Sequence, residues 1–396
     1  MRSISHAAAC AGLCLFCAPC FAGSDAAGED AFTAELGGEL HLDYSAFDND
    51  DRGPNNTDGL DARRARLEVS GDFYGWGYSF EADFEGLQDD FSADVIEAKN
   101  FYVTREFGAG KLTIGQFIQN FSLDAKTSSN NGLLMERTMF GTTIAPLYRL
   151  GVGWVDARDH RTLGVGYYSL EQIDEWHTKG NALSARGTWT PLREDERVVH
   201  LGLSLAREWY DHPGVDGASA LRVRPRPAGA QSDNSRATLT DFSTGRDVDA
   251  DKYSLEFAAT RGPLYVQSEY GGAYYRDGMQ SNDLRSFYAA AGWLLTGETM
   301  PYDDKNGRFG KVKPQRKGGA WQLVLRYDRV TGRQHLDGRP DFLDVSTEAR
   351  SIGVNWYANA HIRLMVDWIE SRNRDRLADR TLDRTRALTT RFQFVF

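Results

Sequence analysis

The last eleven residues of the chain alternate between two kinds of side chain and end on an aromatic residue. Phe392, Phe394 and Phe396 share one parity, whereas Arg391 and Gln393 share the other. Because successive side chains of a strand point to opposite faces, such a strand separates an apolar medium from water. Two structures have this need: a soluble sandwich of sheets, and a transmembrane barrel whose outer face meets lipid. The rest of the chain must decide between them.

The same alternation recurs along the whole chain, in segments of roughly ten residues, as barrel strands require. In the segment 76–85, Trp76, Tyr78 and Phe80 share one parity, whereas Ser79 and Glu81 share the other. Sixteen such segments are found, an even number as in bacterial single-chain barrels. The predicted strands are 33–46, 60–73, 76–85, 95–105, 111–117, 148–157, 161–170, 181–190, 197–210, 252–261, 263–275, 284–296, 319–330, 347–358, 360–371 and 383–396.

The connections between these strands are of two lengths. Tight turns are predicted at 74–75, 261–262 and 359–360. Long loops are predicted at 47–59, 117–146, 211–251, 297–318 and 329–346. A barrel with short periplasmic turns and long external loops has this pattern, whereas a compact soluble domain rarely carries a connection as long as 211–251. The fold class predicted is therefore an all-β antiparallel transmembrane barrel.

The N-terminus predicts export. Arg2 precedes an apolar run over 7–16, and Cys20-Phe21-Ala22 places small residues where signal peptidase cleaves. We therefore expect a signal peptide at 1–22 and a barrel at 23–396. All four cysteines precede the cleavage site, which leaves no disulfide, thiolate metal site or cysteine nucleophile in the mature chain. No apolar run reaches the length of a spanning helix, so a membrane crossing requires a closed barrel.

Charge and motifs exclude several function classes. A net charge of −10 on an exported chain argues against nucleic-acid binding. Neither a G-x-S-x-G nor an H-E-x-x-H motif occurs, so we expect no enzyme activity, cofactor or metal. The run 48–51 resembles a calcium loop only loosely, since its spacing and terminal Glu are missing, and an external loop is the preferred interpretation. The basic group Arg222, Arg224 and Arg226 lies in the longest loop, where it either attracts anions or lipopolysaccharide or is a surface loop.

Parity also assigns the charged residues of the strands. An Arg facing lipid near the midplane costs about 2–4 kcal/mol, so Arg64 and Arg66 are predicted to face the lumen. Arg63 falls on the lipid parity and must lie at a rim or follow a bulge. The same test turns further residues inward, namely Glu68, Glu81, Asp83, Arg186, Glu256, Arg326, Arg363, Asp367 and Arg391. Two interpretations stay open: the arginines select anions, or the lumenal charges neutralise each other.

Three stretches resemble one known family. They are the run 63–71 followed by Trp76-Gly77-Tyr78, the segments within 115–137, and Gly292-Trp293-Leu294-Leu295-Thr296-Gly297-Glu298 with Pro301-Tyr302. Together they resemble the phosphate-selective porins of the O and P type. The resemblance implies a homotrimeric outer-membrane barrel of 16 strands with loops folded into the lumen. It also implies that the terminal Phe396 is recognised by the barrel-assembly machinery.

The resemblance assigns anion contacts to an Arg pair on the second strand and to a basic residue of the third loop. These are Arg63, Arg64 and Lys126 here, and parity adds Arg66. The chain departs from the family pattern at Ile118, where members often carry Lys, and at 130–131, where two Asn replace a lysine-rich run.

The function we predict is a water-filled channel for passive diffusion of small anions, with phosphate or a related oxyanion first. A general porin for organic acids or other small nutrients is the alternative within transport, and a barrel enzyme or an adhesin is the alternative outside it. We expect the protein in the bacterial outer membrane, in contact with lipid and lipopolysaccharide.

Overall fold

A computed structural model describes residues 32–50, 52–88, 96–173 and 178–396. The predicted signal peptide at 1–22 lies outside these residues. In the described part of the chain, no helix is both long and apolar enough to cross a membrane.

Sixteen antiparallel strands form one closed barrel, in which each strand pairs with its neighbours in chain order. The barrel strands are β1 Glu35–Asn49, β2 Gly59–Phe73, β3 Trp76–Asp83, β4 Glu97–Phe107, β5 Gly110–Ile118, β6 Tyr148–Arg158, β7 Arg161–Ser169, β8 Gly180–Arg193, β9 Arg197–Tyr210, β12 Val248–Arg261, β13 Leu264–Arg276, β14 Gln280–Leu294, β17 Ala320–Leu336, β18 Asp341–Tyr357, β19 Ile362–Asp375 and β20 Arg380–Val395. The remaining strands form two short hairpins in the connections, β10 Leu221–Val223 with β11 Thr240–Phe242, and β15 Tyr302–Asp303 with β16 Arg308–Phe309. The predicted fold class and strand count are confirmed.

The last strand closes the barrel against the first. Phe394 of β20 pairs with Leu40 of β1, and Arg391 pairs with Asp43. Phe392 is exposed on the outer wall, whereas Arg391 is buried inside. This is the arrangement that the alternation predicted, because a barrel in lipid turns its apolar parity outward.

The connections sort onto two rims. The tight turns at 74–75, 108–109 and 358–361 share a rim with the chain end at Phe396, and this is the periplasmic rim by the general rule for such barrels. The connection 295–319 also lies on this rim, although a loop of its length was expected outside. The predicted long loop at 329–346 is wrong, because β17 and β18 continue until only 337–340 separates them. The segment 329–346 is mostly polar on both faces, which resembles a loop. A strand that extends beyond the lipid is also polar on both faces, because water surrounds it.

The external connection 119–147 folds back into the lumen, so the predicted inward loop is confirmed. It contains the short helices α1 Leu123–Lys126 and α2 Met139–Thr143, with a 3-10 turn at Ser129–Asn131 between them. Phe121, Leu123, Phe140 and Ile144 are fully buried, and they pack the loop against the inner wall. Further 3-10 turns lie at Glu85–Gln88 and Asp233–Ser235.

Candidate pore constriction

A β-bulge in β2 decides where Arg63 points. Arg64 pairs with His41 and Ala62 pairs with Leu42, so Arg63 is the extra residue between two consecutive pairs. A bulge of this kind re-aims a side chain. Arg63 thereby enters the lumen, where its Nε donates to Glu136 Oε1 at 3.2 Å and its Nη1 donates to Glu85 Oε2 at 3.2 Å.

The next two arginines of β2 also lie inside the barrel, but carboxylates surround one of them. Arg66 contacts Glu39 at 3.1 Å, Glu81 at 3.1 Å and Asp83 at 2.6 Å. Arg64 is buried, with Nη1 at 3.1 Å from His41 Nδ1 and with Glu39 at 3.7 Å as its ion-pair partner. The structure therefore brings Arg63, Arg64 and Arg66 to one side of the lumen. Carboxylates at 3.2 Å or less neutralise Arg63 and Arg66.

Carboxylates of the inner wall fix the backbone of the lumenal loop. Glu269 of β13 accepts hydrogen bonds from the N–H groups of Leu123 and Asp124, at 3.0 and 2.9 Å. Asp328 of β17 accepts from Met139 N at 3.1 Å. Asp367 of β19 accepts from Met135 N at 2.8 Å. The contacts of Glu269 and Asp328 satisfy N–H groups at the start of the two short helices, where no helical partner exists, and Asp367 holds the segment between them.

Arginines of the same wall bind the carbonyl groups of the loop. Arg363 Nη2 donates to Gly132 O at 2.8 Å, and Arg326 Nη1 donates to Glu136 O at 2.8 Å. Arg391 Nη1 donates to Met135 O at 2.5 Å. Four of the inward charges predicted by parity, namely Arg326, Arg363, Asp367 and Arg391, thus position the loop that narrows the pore.

A cavity of about 760 Å³ lies on the periplasmic side of this loop, and cations of the loop and of the periplasmic connection line it. Lys126 Nζ donates to Ile118 O at 3.2 Å. Arg137 Nη1 donates to Thr127 O at 2.8 Å and to Asp124 O. Arg308, from the periplasmic connection, donates to Lys126 O at 2.5 Å and has Asp303 at 3.5 Å. We call Lys126, Arg137 and Arg308 the lumenal cation cluster.

The electrostatics of the cluster and of Glu136 differ in sign. Burial, together with the charges of Arg308 and Arg186, lowers the pKa of Lys126 to about 7. Burial raises the pKa of the Glu136 carboxyl, but Arg63, Arg391 and Arg64 outweigh burial and hold this pKa well below its ordinary value. Glu136 is therefore a permanent negative charge between Arg63 and Arg391, whereas Lys126 titrates near neutrality.

Two residues of the cluster were missed by the sequence reasoning. Arg137 lies within the Met135-Glu136-Arg137 run, and only its position in the inward loop distinguishes it from a surface arginine. Arg308 lies in the connection 295–319, whose place on the periplasmic rim follows from counting the connections between predicted strands. This count is the feature of the sequence that could have placed Arg308 at the periplasmic end of the barrel.

A closed barrel with a lipid-facing apolar wall and a charged lumen narrowed by an inward loop is a porin. The family model for phosphate-selective porin O and P matches residues 34–396. The chain belongs to this family, and it is an outer-membrane porin. Family and fold point to a channel rather than an enzyme.

One relative is similar in sequence over most of the chain, and two solved structures are similar in fold. Porin O of Pseudomonas aeruginosa is 27% identical over 404 residues, which cover 92% of this chain and 89% of that protein. The in-vitro folded OmpT of Vibrio cholerae, in its trimer form, has a similar structure, with a TM-score of 0.57, 13% identity, and coverage of 93% of this chain and 100% of that chain. An anion-selective porin from Comamonas acidovorans has a TM-score of 0.57 at 11% identity, over 92% of this chain and 100% of that chain.

Proposed function

We propose that the protein is a passive channel for small anions, in which the lumenal cation cluster forms the selective step. One observation carries the proposal. Lys126 and Arg137 bind backbone carbonyl groups, and the described part of the chain gives neither of them a carboxylate partner. Their charge is therefore available to an anion in the 760 Å³ cavity. Phosphate or a related oxyanion suits this cluster, because guanidinium groups pair with its oxygens through two donors at once.

The cluster also has the balance that conduction requires. A permeant ion must be bound well enough to enter and weakly enough to leave. Ser128, Ser129 and Asn130 line the same cavity and supply hydroxyl and amide groups that replace part of the hydration shell. Glu81 and Glu68 on the facing wall limit the net positive charge, so an anion is not trapped.

Arg63, Arg64 and Arg66 take a different place in this proposal. Glu136 binds Arg63, and three carboxylates surround Arg66. Arg63 and Arg66 therefore contribute to the electrostatic field of the pore but do not offer a free hydrogen-bond donor to an anion. Arg64, whose ion-pair partner is 3.7 Å away, is the one of the three with the most charge left for a passing anion.

We propose a homotrimer that packs through the side of the barrel where its shortest strands lie, from β3 to β7. We call this side the low wall. The short barrel strands lie together: β3 has 8 residues, β5 has 9 and β7 has 9, whereas β17 and β18 have 17 each. A tilted strand of eight residues spans roughly 20 Å, less than the apolar band of about 25 Å. Exposed Phe80 and Phe101, with ring centroids 4.6 Å apart, supply apolar contact area there.

Native mass spectrometry of the detergent-solubilised protein tests the oligomer. We expect a trimer, and we expect Phe80→Arg to yield monomers, whereas a trimer that survives this substitution contradicts the proposed face.

The closing strand is also the segment that we propose the barrel-assembly machinery recognises. It ends at Phe396, whose N–H donates to Gly38 O at 3.1 Å.

Planar-bilayer recording tests the anion channel. We expect reversal potentials in a KCl gradient to show anion preference, and we expect added phosphate to reduce the chloride current. Arg137→Gln should lower both effects, while Arg193→Gln, at a half-buried arginine paired with Asp304 near the periplasmic rim, should preserve them. Cation preference of the unmodified channel contradicts the proposal. Anion preference without a phosphate effect favours the alternative channel for organic acids, which the neutralisation of Arg63 and Arg66 supports.

A further inference from the structure

The outer wall of the barrel carries a basic pocket near its external rim. The pocket has a volume of about 300 Å³ and is formed by β17, β18, β19 and the external connection 376–379. Four arginines line it, and two carboxylates accompany them. The arginines are Arg329, Arg372, Arg374 and Arg376. A net positive pocket on the lipid-facing side of a porin has no role in conduction through the lumen.

The strand register places this pocket directly above an apolar surface. Leu325, Ile352 and Trp368 are register partners on β17, β18 and β19, and all three are exposed on the outer wall. Two residues further toward the external rim, Arg350 pairs with Glu370. Two residues beyond these, Glu348 pairs with Arg372. The outer wall therefore changes from apolar to charged over two residues of each strand, which is the spacing between side chains on one face.

Part of the positive charge at this boundary lacks a carboxylate partner within the described residues. Arg372 donates to the Thr381 hydroxyl at 2.9 Å, and no carboxylate pairs with it. Arg350 has neither a hydrogen bond nor an ion pair to a carboxylate there. Arg329 has Glu348 at 3.5 Å, a distance that leaves donors unused. Such guanidinium groups suit a phosphate group, to which arginine donates two parallel hydrogen bonds.

An apolar groove adjoins the pocket on the side nearer the membrane midplane, since Arg350 and Glu370 of the groove lie two residues from Glu348 and Arg372 of the pocket. Its volume is about 590 Å³, and Arg350 and Glu370 line it together with Leu325, Ile352 and Trp368. The small residues Ala289 and Ala291 of β14 form its floor, because they leave room that a larger side chain would fill. A groove of this shape accommodates a hydrocarbon chain whose polar head reaches the arginines above.

We propose that this pocket and groove bind a phosphorylated, acylated glycolipid of the outer leaflet. The phosphate lies among Arg329, Arg350 and Arg372, and an acyl chain lies along the groove. Charge complementarity and the position of the groove directly beside the pocket favour this occupant over a second copy of the chain. The face is centred on β17, which is eight strands from β5 in either direction around the barrel and so lies opposite the low wall.

Native mass spectrometry of the delipidated protein in detergent tests the proposal, with diphosphoryl lipid A as the probe. We expect one tightly retained lipid A for each chain. We expect the affinity for the fully dephosphorylated lipid to be lower by about tenfold or more, since charge-assisted hydrogen bonds are lost. This comparison uses the unmodified protein, so it does not depend on the folding of a variant.

Matched variants locate the site. Arg350→Gln with Arg372→Gln should weaken lipid A binding about tenfold or more. The control double variant, Arg207→Gln with Arg276→Gln, removes two outer-wall arginines elsewhere that Asp249 and Asp251 already neutralise, and it should bind as the unmodified protein does. Ala291→Trp should fill the groove and weaken binding of lipid A, while the single-channel conductance stays unchanged.

Three outcomes overturn the proposal. Equal binding of phosphorylated and dephosphorylated lipid removes the role of the arginines. Equal binding by the two double variants removes this location. A change of oligomer mass in the Arg350→Gln, Arg372→Gln variant identifies the face as a contact between copies instead.

Discussion

Arg391 of the last strand forms two parallel hydrogen bonds with Asp43 of the first strand. Nε reaches Asp43 Oδ1 at 2.7 Å and Nη2 reaches Asp43 Oδ2 at 2.7 Å. The same Nη2 lies 2.6 Å from Glu136 of the lumenal loop. One guanidinium group thus joins the seam that closes the barrel to the loop that narrows it.

Replacing Arg391 should therefore destabilise the barrel. Arg391→Met leaves Asp43 without its partner in a buried position, and we expect a loss of about 3–5 kcal/mol in the free energy of unfolding. Urea titration of the folded protein in detergent measures this loss. Arg386→Gln is the matched control, because Arg386 lies on the same strand in an exposed pair with Asp48 at 3.2 Å, and it should cost at most about 1 kcal/mol. Equal losses in the two variants contradict the role given to the seam.

The lowered pKa of Lys126 predicts a pH-dependent anion preference. Since this pKa is about 7, the ammonium group is charged below pH 7 and neutral above it. Anion preference should fall as pH rises through neutrality, and reversal potentials at two pH values on either side of 7 measure the change. Lys126→Met should abolish the step, while Lys305→Met, at an exposed lysine of the same cavity, should retain it. A step of unchanged size in Lys126→Met shows that another group titrates.

Neutralising Glu136 should make the pore more anion-selective. Because its pKa lies well below the ordinary value, Glu136 carries a negative charge at neutral pH and offsets Arg63 and Arg391. Glu136→Gln removes this charge and keeps the side-chain size, so we expect a larger anion-to-cation permeability ratio in the same salt gradient. Glu194→Gln, at an exposed acid of a periplasmic turn, is the control. If Arg63 already contacts anions freely, the two variants will behave alike.

Releasing the lumenal loop should widen the pore. Glu269→Ala removes the acceptor of two loop N–H groups, at Leu123 and Asp124, and leaves them unsatisfied. We expect a larger and noisier single-channel conductance with weaker anion preference, because the cation cluster loses its fixed position. Glu106→Ala, at an exposed acid near a periplasmic turn that also lines the cavity, should keep quiet channels. Quiet channels of unchanged size in Glu269→Ala indicate that the remaining wall contacts hold the loop.

The barrel itself was readable from local pattern. Alternation fixes the face of each side chain, so residues such as Phe392 and Arg391 could be assigned to lipid and lumen without a structure. The pattern also required a bulge if Arg63 was to enter the lumen. Strand ends above the membrane were not readable, because β17 and β18 continue through a stretch where neither face is apolar and the alternation disappears.

The sequence by itself determined a closed sixteen-strand barrel, its apolar outer face and its inward arginines, since each follows from the period of two and the cost of charge in lipid. Only the tertiary structure decided which of those arginines keep free charge. Glu136 reaches Arg63 across 73 residues of sequence and Arg391 across 255, and Arg308 meets Lys126 across 182. Such pairings depend on how the loop and the periplasmic connection fold into the lumen, and no local periodicity encodes them.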